Sequence, residues 1–510
     1  VIIFVVGGYI FYNSLTESLP VYKGELKAAY LKSEVKIYFD SLAIPYIFAD
    51  DDADVAFTLG YLHARERMFS MDMIRRAGEG RLSEIFGEET VPFDLMFRTV
   101  GLSKTAKMIQ EKMNPEGLNL LEAYSNGVNY YLEEYKNKYP IEFDVLGYRP
   151  EKWKPEQSII VIRMMAWELN LGWWTDLTFT ELVQKLGEEK VKEILPDYPE
   201  NAPTIIPAEI KKFAQINSNL IQTDKSFRKF LGMTGTHLGS NNWVVNSQMS
   251  VSGKPIIAND PHLAYRAPGI WYAAVIKSPT WNAAGVTLPG APGIAIGKNE
   301  NISWTLTSIM TDETDFYFET LDSSRTKYLL DGEWKDLEIV EDTIYRRDGI
   351  AIPIEIKYTH RGPIISNIHP YIFVFNKDER FYPPISMRWL GNEFSDELNA
   401  FLKVNKAKNW DEFREGLRHY SISPQVFLYA DTAGNIAGRG TWRQEDRAEY
   451  RPGGRSHPAR CAGRADAGRG DVHRRVDDPR LAELPDRGDR PLHGVRRGHQ
   501  SAGWHPAPDR

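Results

Sequence analysis

The sequence predicts an α+β protein whose helices come first and whose strands follow. Three observations carry that prediction. Residues from Ala53 to about Lys138, and again from Pro155 to about Ile194, repeat their apolar positions with helical period. Residues 195–239 are rich in Pro, Asn, Ser and Lys and have weak periodicity, as a linker does. From Asn242 onward, short apolar runs dominate: "NWVVN", "KPIIAND", "WYAAVI", "ISWTLTS", "DFYFETL", "YIFVFN" and "QVFLYAD".

Taken in order, the chain opens on "VIIFVVGGYIFY", an apolar run short for a membrane span. A truncated signal peptide or N-terminal anchor over residues 1–17 is expected, and export with it; a buried strand is the alternative. Residues 27–60 alternate apolar and polar positions ("VKIYFD", "IPYIFAD") and read as a hairpin. The first helical block is most regular in "ADVAFTLGYLHARERMFSMDMIRRAGEGRLSEIFG", and the second contains "IIVIRMMAWELNLGWWTDLTFTELVQKLG". After the strands the composition changes. Between Arg451 and Arg510 there is no Lys, Ile, Phe, Tyr, Asn, Thr or Met, while Arg occurs 13 times. A basic tail does not explain the loss of so many residue types together. The pattern points to a reading-frame slip or assembly junction near Gly453-Gly454, and no function is drawn from residues 451–510.

Composition narrows the function. The 510 residues are 42% hydrophobic and 12% aromatic, which suits a globular chain too long for one ordinary core. A net charge of −7, with no basic stripe before residue 440, excludes a nucleic-acid footprint. The single Cys461 excludes a disulfide framework and a Cys-based zinc site. There is no HExxH, P-loop, GxGxxG or GxSxG motif. Before the tail, His occurs at positions 63, 237, 262, 360, 369 and 419, and no local signature joins one to a Ser-His-Asp triad.

Gly239-Ser240, at the end of the loose segment and the onset of a strand, reads either as a turn or as chemistry. A serine hydroxyl needs an adjacent base to act as a nucleophile. Cutting the peptide bond before Ser240 would supply one, because a free α-amine has a pKa of about 8. Glycine before the cut suits it, since a residue without Cβ leaves its carbonyl open to attack.

The surroundings decide between the two. "GSNNWVV", then "NDPHL", "PGAPGIAIGKNENISWTLTS" and "TDETDFY" follow in order, preceded by the first helical block and followed by "SPQVFLYADTAGNIAG". Together these resemble the penicillin acylase family of N-terminal-nucleophile hydrolases, from about Ser18 to Gly438. The resemblance implies a four-layer αββα sandwich with added helices, its β part incomplete at the C-terminus. It implies a precursor cut at Gly239-Ser240 into an α chain (18–194) and a β chain (240–450), with 195–239 removed or freed. The expected activity is hydrolysis of a linear amide of an acylated small molecule, as in penicillin acylases or acyl-homoserine-lactone acylases, with no organic cofactor.

The same resemblance assigns residues. Ser240 is nucleophile and, through its new amine, base; His262 contacts that amine; the Ser308 N–H lines the oxyanion hole. A second donor, an Asn five residues before the Asp of "YAD", is replaced here by Val426, for which Gln425 or a water could stand in. A structural Ca²⁺ is implied at Asp312, the Thr314 carbonyl and Asp315, with Asp176 standing where relatives carry Glu. Acyl-pocket positions fall on Met165, Leu169, Leu263, Ile296 and Leu306, apolar and without a cation, which favours an apolar acyl group; ordinary core packing is the alternative for several. Val426 and the aberrant tail leave two further expectations open: a calcium-stabilised binding or surface protein without catalysis, and an uncleaved, inactive truncated product.

Overall fold

The structure, a computed structural model, describes residues 6–9, 12, 15–136, 138–187, 190, 191, 193, 214–233, 239–368 and 384–441. Residues 1–472 form one unit, and the second, 473–510, lies outside the described residues. The strand expected at "YIFVFN", His237, His369 and the whole unusual tail also lie outside them, as do most of residues 1–17. Among the described residues, no helix is long and apolar enough to cross a membrane.

The chain begins with the expected hairpin, β1 (Lys36–Phe39) against β2 (Pro45–Phe48). Eleven helices follow in two groups among the described residues. The first nine are α1 (Asp52–Glu79), α2 (Ser83–Phe86), α3 (Val91–Val100), α4 (Leu102–Lys112), α5 (Pro115–Glu134), α6 (Ile141–Leu146), α7 (Pro155–Leu169), α8 (Gly172–Leu186) and α9 (Ala214–Phe230). Then α10 (Glu397–Lys406) and α11 (Trp410–Gly416) lie among the later strands.

The long helix α1 has unambiguous ends. The Asp51 side chain accepts the Ala53 N–H at its start, Asp52 and Asp54 sit in its positive first turn, and Gly80 ends it with φ +65°. It is buried along nearly its whole length and lies against α5. Two glycines permit that closeness: a Cβ on Gly60 would lie 2.1 Å from the Tyr124 carbonyl oxygen, and one on Gly127 would lie 1.9 Å from that of Phe57. Any side chain there would force the helices apart.

Strands β5 (Tyr272–Lys277), β6 (Asn282–Thr287), β7 (Ile296–Lys298), β8 (Ile302–Ser308), β16 (Gln425–Asp431) and β17 (Ile436–Gly440) join the first hairpin in an eight-stranded sheet ordered β1-β2-β5-β6-β7-β8-β16-β17. Among the described strands of this sheet only the β2–β5 pair is parallel. The pair β3 (Gly239–Val245) and β4 (Ile256–His262) forms a separate antiparallel ribbon. So do β9 (Thr314–Phe318) with β15 (Ile385–Trp389), and β10 (Lys327–Leu330) with β11 (Glu333–Asp336). A three-stranded sheet joins β12 (Glu338–Tyr345), β13 (Ala351–Thr359) and β14 (Gly362–Pro363). The main core runs between the helices and the eight-stranded sheet. Helices and antiparallel sheets in separate stretches of chain make this an α+β protein.

One expectation fails. The segment read as a loose linker contains α9, and Phe227 of that helix packs edge-to-face on Phe93 and Phe97. Asp224 accepts hydrogen bonds from the indole N–H groups of Trp167 and Trp174 and pairs with Arg228. The polar composition that suggested a linker belongs to a helix in which Leu220, Ile221 and Phe227 are buried.

Candidate active site

Sheet register brings the candidate residues together. In the ribbon, Gly239 stands opposite His262 and Ser240 opposite Pro261. In the large sheet, Val426 stands opposite Thr307 and Gln425 opposite Ser308. Polar ties fasten the ribbon onto β8 and β16. Asn259 Oδ1 accepts the Leu306 N–H at 2.9 Å while its Nδ2 donates to the Asn241 carbonyl at 3.1 Å. Asn242 Nδ2 donates to the Val426 carbonyl at 3.1 Å.

Ser240 sits where these strands meet, half-buried. The Thr307 hydroxyl donates to the Ser240 carbonyl at 2.8 Å and lies 2.6 Å from Ser240 Oγ. A threonine hydroxyl has one proton. With that proton on the carbonyl, the 2.6 Å contact is a bond donated by the Ser240 hydroxyl. The Ser308 N–H donates to Ser240 Oγ at 3.3 Å. The serine oxygen is thus held by one side chain and one main-chain donor.

The His262 ring does not bond to that oxygen. Its Nε2 lies 3.1 Å from Asp260 Oδ2 and 3.4 Å from Asn241 Nδ2, and it is substantially exposed. A Cβ placed on Gly239 would lie 3.8 Å from His262 Nδ1, so the ring is beside the residue that precedes Ser240. Gln425 does not compensate for Val426. Its Nε2 donates to the Ser423 carbonyl at 2.6 Å and to Ser423 Oγ at 3.2 Å, which uses both protons. The other described histidines are engaged elsewhere. His63, fully buried, bridges the Tyr124 hydroxyl and Thr287 Oγ1, and burial pushes its pKa down to about 3. His360 stacks on Tyr328, and His419 lies 2.9 Å from Lys403 Nζ.

All five acyl-pocket positions, Met165, Leu169, Leu263, Ile296 and Leu306, are half-buried, and Met165 lines a cleft between α1, α7 and the loops after β4 and β6. Leu306 faces Phe427 in the sheet register and packs on the core, Ile296 stands opposite Val286, and Leu169 ends α7. The cleft is apolar through Met71, Ile74, Val161 and Met164, yet Arg67, Glu168 and Arg266 also line it. Burial raises the Glu168 carboxyl above its ordinary range, opposed by Arg228 and Arg266. Which side chains enter a cleft depends on how helices cross, and local sequence does not encode that.

The loop before β9 carries Asp312, Glu313, Thr314 and Asp315. The Glu313 carboxyl turns into the core, accepts the Ser423 N–H at 2.9 Å and is pushed by burial up to about 8. The Thr314 hydroxyl accepts Asn170 Nδ2 at 2.9 Å, and the Asp312 carboxylate receives the Thr314 N–H at 3.4 Å. Two buried oxygens beside this loop, Asn170 Oδ1 and Thr311 Oγ1, have no hydrogen-bond partner. The start of α8 abuts it, since a Cβ on Gly172 would lie 3.3 Å from the Thr311 carbonyl. The Asp176 side chain, one turn further on, lies outside the described residues. Among the described residues, no three His, Cys, Asp or Glu side chains cluster as metal ligands. The donor set here is oxygen only, of the kind hard cations take, and the two orphaned oxygens fit that chemistry.

Comparison with known proteins agrees with the order of motifs. The penicillin amidase family model matches residues 34–500. The acyl-homoserine lactone acylase QuiP of Pseudomonas aeruginosa is 30% identical over 450 residues, covering 85% of this chain and 52% of the relative. Penicillin acylase 2 proenzyme of Pseudomonas sp. strain SE83 is 28% identical, covering 69% of this chain and 46% of the relative. Penicillin G acylase of Escherichia coli is 25% identical, covering 83% and 55%. The chain spans about half the length of these relatives.

Proposed function

Because the chain belongs to the penicillin amidase family, we propose that it hydrolyses a linear amide of an N-acylated small molecule, using Ser240 after self-cleavage at Gly239-Ser240. The observation that carries this is the placement of Ser240 Oγ, one residue after a glycine at a strand start and held by Thr307 and the Ser308 N–H. In the first event Ser240 Oγ attacks the Gly239 carbonyl carbon. The peptide C–N bond breaks, the amine takes a proton, and water then hydrolyses the resulting ester. The freed α-amine, with an ordinary pKa of about 8, next takes the Ser240 hydroxyl proton as Oγ adds to the substrate carbonyl. Collapse of the tetrahedral species expels the amine, which carries that proton away, and water releases the acid from the acyl-enzyme. The Ser308 N–H is the main-chain donor to the developing charge.

The resemblance and the relatives support an α/β heterodimer of one precursor and an αββα sandwich as the finer description of the α+β fold. The spacer freed by cleavage is shorter in this reading than residues 195–239, because Leu220 and Phe227 of α9 are buried. The apolar side chains at Met165, Leu169, Leu263, Ile296 and Leu306 support a largely hydrophobic acyl group. The amine is that of a penicillin nucleus or of a homoserine lactone; the second is favoured by the likeness to the P. aeruginosa acyl-homoserine lactone acylase. The apolar run at Val1–Tyr12 supports export with an N-terminal signal or anchor. The test is amine release from a panel of amides graded in acyl length, including both amine types. A processed protein that releases none of the amines contradicts the proposal and favours a binding protein without catalysis.

Calcium is the second part of the proposal. Asp312, Asp315, the Thr314 carbonyl and Asp176 are the residues that would hold it, and it would tie α8 to the β9 loop. Its chemistry is structural. Saturating a site a hundredfold over its Kd stabilises by about 2.7 kcal/mol, which in a chain of this size moves Tm by roughly 2–3 °C. Chelation should therefore lower Tm by that much, and added Ca²⁺ should restore it. An unchanged Tm contradicts the site.

A further inference from the structure

We propose that Thr307 is a catalytic residue, its hydroxyl acting as the second donor to the negative charge that develops when Ser240 Oγ attacks. This rests on the amidase reading above. A tetrahedral intermediate needs more than one aimed donor, and losing one typically costs roughly 10²–10³ in rate. At Ser240 the only main-chain donor among the described residues is the Ser308 N–H. Val426, the strand neighbour of Thr307, has no polar side-chain atom. Both Gln425 protons are spent on Ser423. The neighbouring amides point elsewhere: Asn242 Nδ2 donates to the Val426 carbonyl, Asn259 Nδ2 to the Asn241 carbonyl, and Asn241 Nδ2 lies 3.4 Å from His262 Nε2. Among the described residues Thr307 is the side chain in hydrogen-bond contact with Ser240 Oγ, with its oxygen 2.6 Å from Oγ and its proton on an acceptor 2.8 Å away.

Rotation about one C–O bond swings that proton from the Ser240 carbonyl toward Oγ and the oxygen that becomes negative beside it. The step moves no proton onto or off Thr307. The Ser240 proton goes to the α-amine, the Oγ–C bond forms, and the carbonyl π pair moves onto the oxyanion, which Thr307 and the Ser308 N–H then solvate. In the resting state the same hydroxyl accepts the Ser240 proton and fixes the serine rotamer. An unreactive neighbour such as valine would do neither.

The experiment compares the full-length chain with Thr307→Val, Thr307→Ser, Val426→Asn and the Thr307→Val/Val426→Asn double variant. Thermal melting controls for folding. Three readouts are taken: the half-time of self-cleavage, kcat and KM on the best amide, and the rate at which phenylmethylsulfonyl fluoride modifies Ser240, followed by mass. Thr307→Val should lower the self-cleavage rate and kcat by roughly 10²–10³ with little change in KM. Thr307→Ser should stay within about tenfold of the parent, and Val426→Asn should restore at least tenfold in the Thr307→Val background. A Thr307→Val protein within threefold of the parent overturns the proposal. So does a Thr307→Ser protein as slow as Thr307→Val, because then bulk and not the hydroxyl matters. If the parent cleaves itself but hydrolyses no amide, the amidase reading falls and the cleavage half-time still decides on Thr307. A parent inert in all three readouts overturns both.

Discussion

Replacing Ser240 with Ala is expected to leave one uncut chain of 58.3 kDa without amidase activity, where the cleavage proposed for the parent gives two chains dividing after Gly239. The effect is expected to be all-or-none for cleavage, since no other hydroxyl follows Gly239. On hydrolysis, removal of a serine nucleophile typically costs about 10⁶ in kcat. The fold should survive. Ser240 enters the ribbon through its backbone pairing with β4, which alanine keeps. What is lost is the Oγ contact with Thr307 and with the Ser308 N–H, both at a half-buried position. Thr307 keeps its bond to the residue-240 carbonyl, and the Ser308 N–H, which loses its acceptor, is only half-buried. Gel electrophoresis and a melting curve on the same sample check this. Two bands from the Ala variant would place the cut or the nucleophile elsewhere.

The largest stability loss is expected from Asp72→Ala. Asp72 is fully buried in α1 and accepts four hydrogen bonds or ion pairs: two from Arg75, one from Arg76 at 3.0 Å and one from the Tyr148 hydroxyl at 2.8 Å. Arg75 and Arg76 are as deeply buried, and Arg75 also packs under Trp153. Arg76 retains Glu84 and Glu151 if Asp72 is removed, but Arg75 is left with only the neutral acceptors Gln157 Oε1 and the Lys152 and Glu151 carbonyls. Breaking a buried pair by deleting one partner costs about 3–5 kcal/mol, because the remaining charge stays out of water. A comparable loss is large against total stabilities of about 5–15 kcal/mol. Asp72→Ala is therefore expected to lower the denaturant midpoint sharply and to reduce soluble yield. Loss below about 1 kcal/mol would mean that water reaches Arg75.

How much of this was legible in the sequence depended on whether a residue's role is local. The start and stop of α1 are local, set by Asp51 and Gly80, and periodicity exposed the helix between them. Helix α9 was hidden because Pro, Asn, Ser and Lys around it outweigh a narrow stripe. The signal was there in Leu220, Asp224 and Arg228, each four apart, with Phe227 three after Asp224. Gly239-Ser240 is local in sequence and gained meaning only from the succession of motifs around it. Thr307 and Asn259 were passed over for a different reason. Threonine is an ordinary strand former and Asn beside Asp-Pro an ordinary turn residue; only the register of β8 against β16, and of the ribbon over both, brings them to Ser240. Glu168 and Arg266 were missed because the cleft is formed by elements far apart in sequence.

The central claim is that one residue, at a chain start made by the protein itself, provides both nucleophile and base. N-terminal sequencing of purified, fully active protein tests it most directly. The account predicts a chain beginning Ser-Asn-Asn-Trp in stoichiometric amount. Full activity in material whose bond between Gly239 and Ser240 is intact would contradict it.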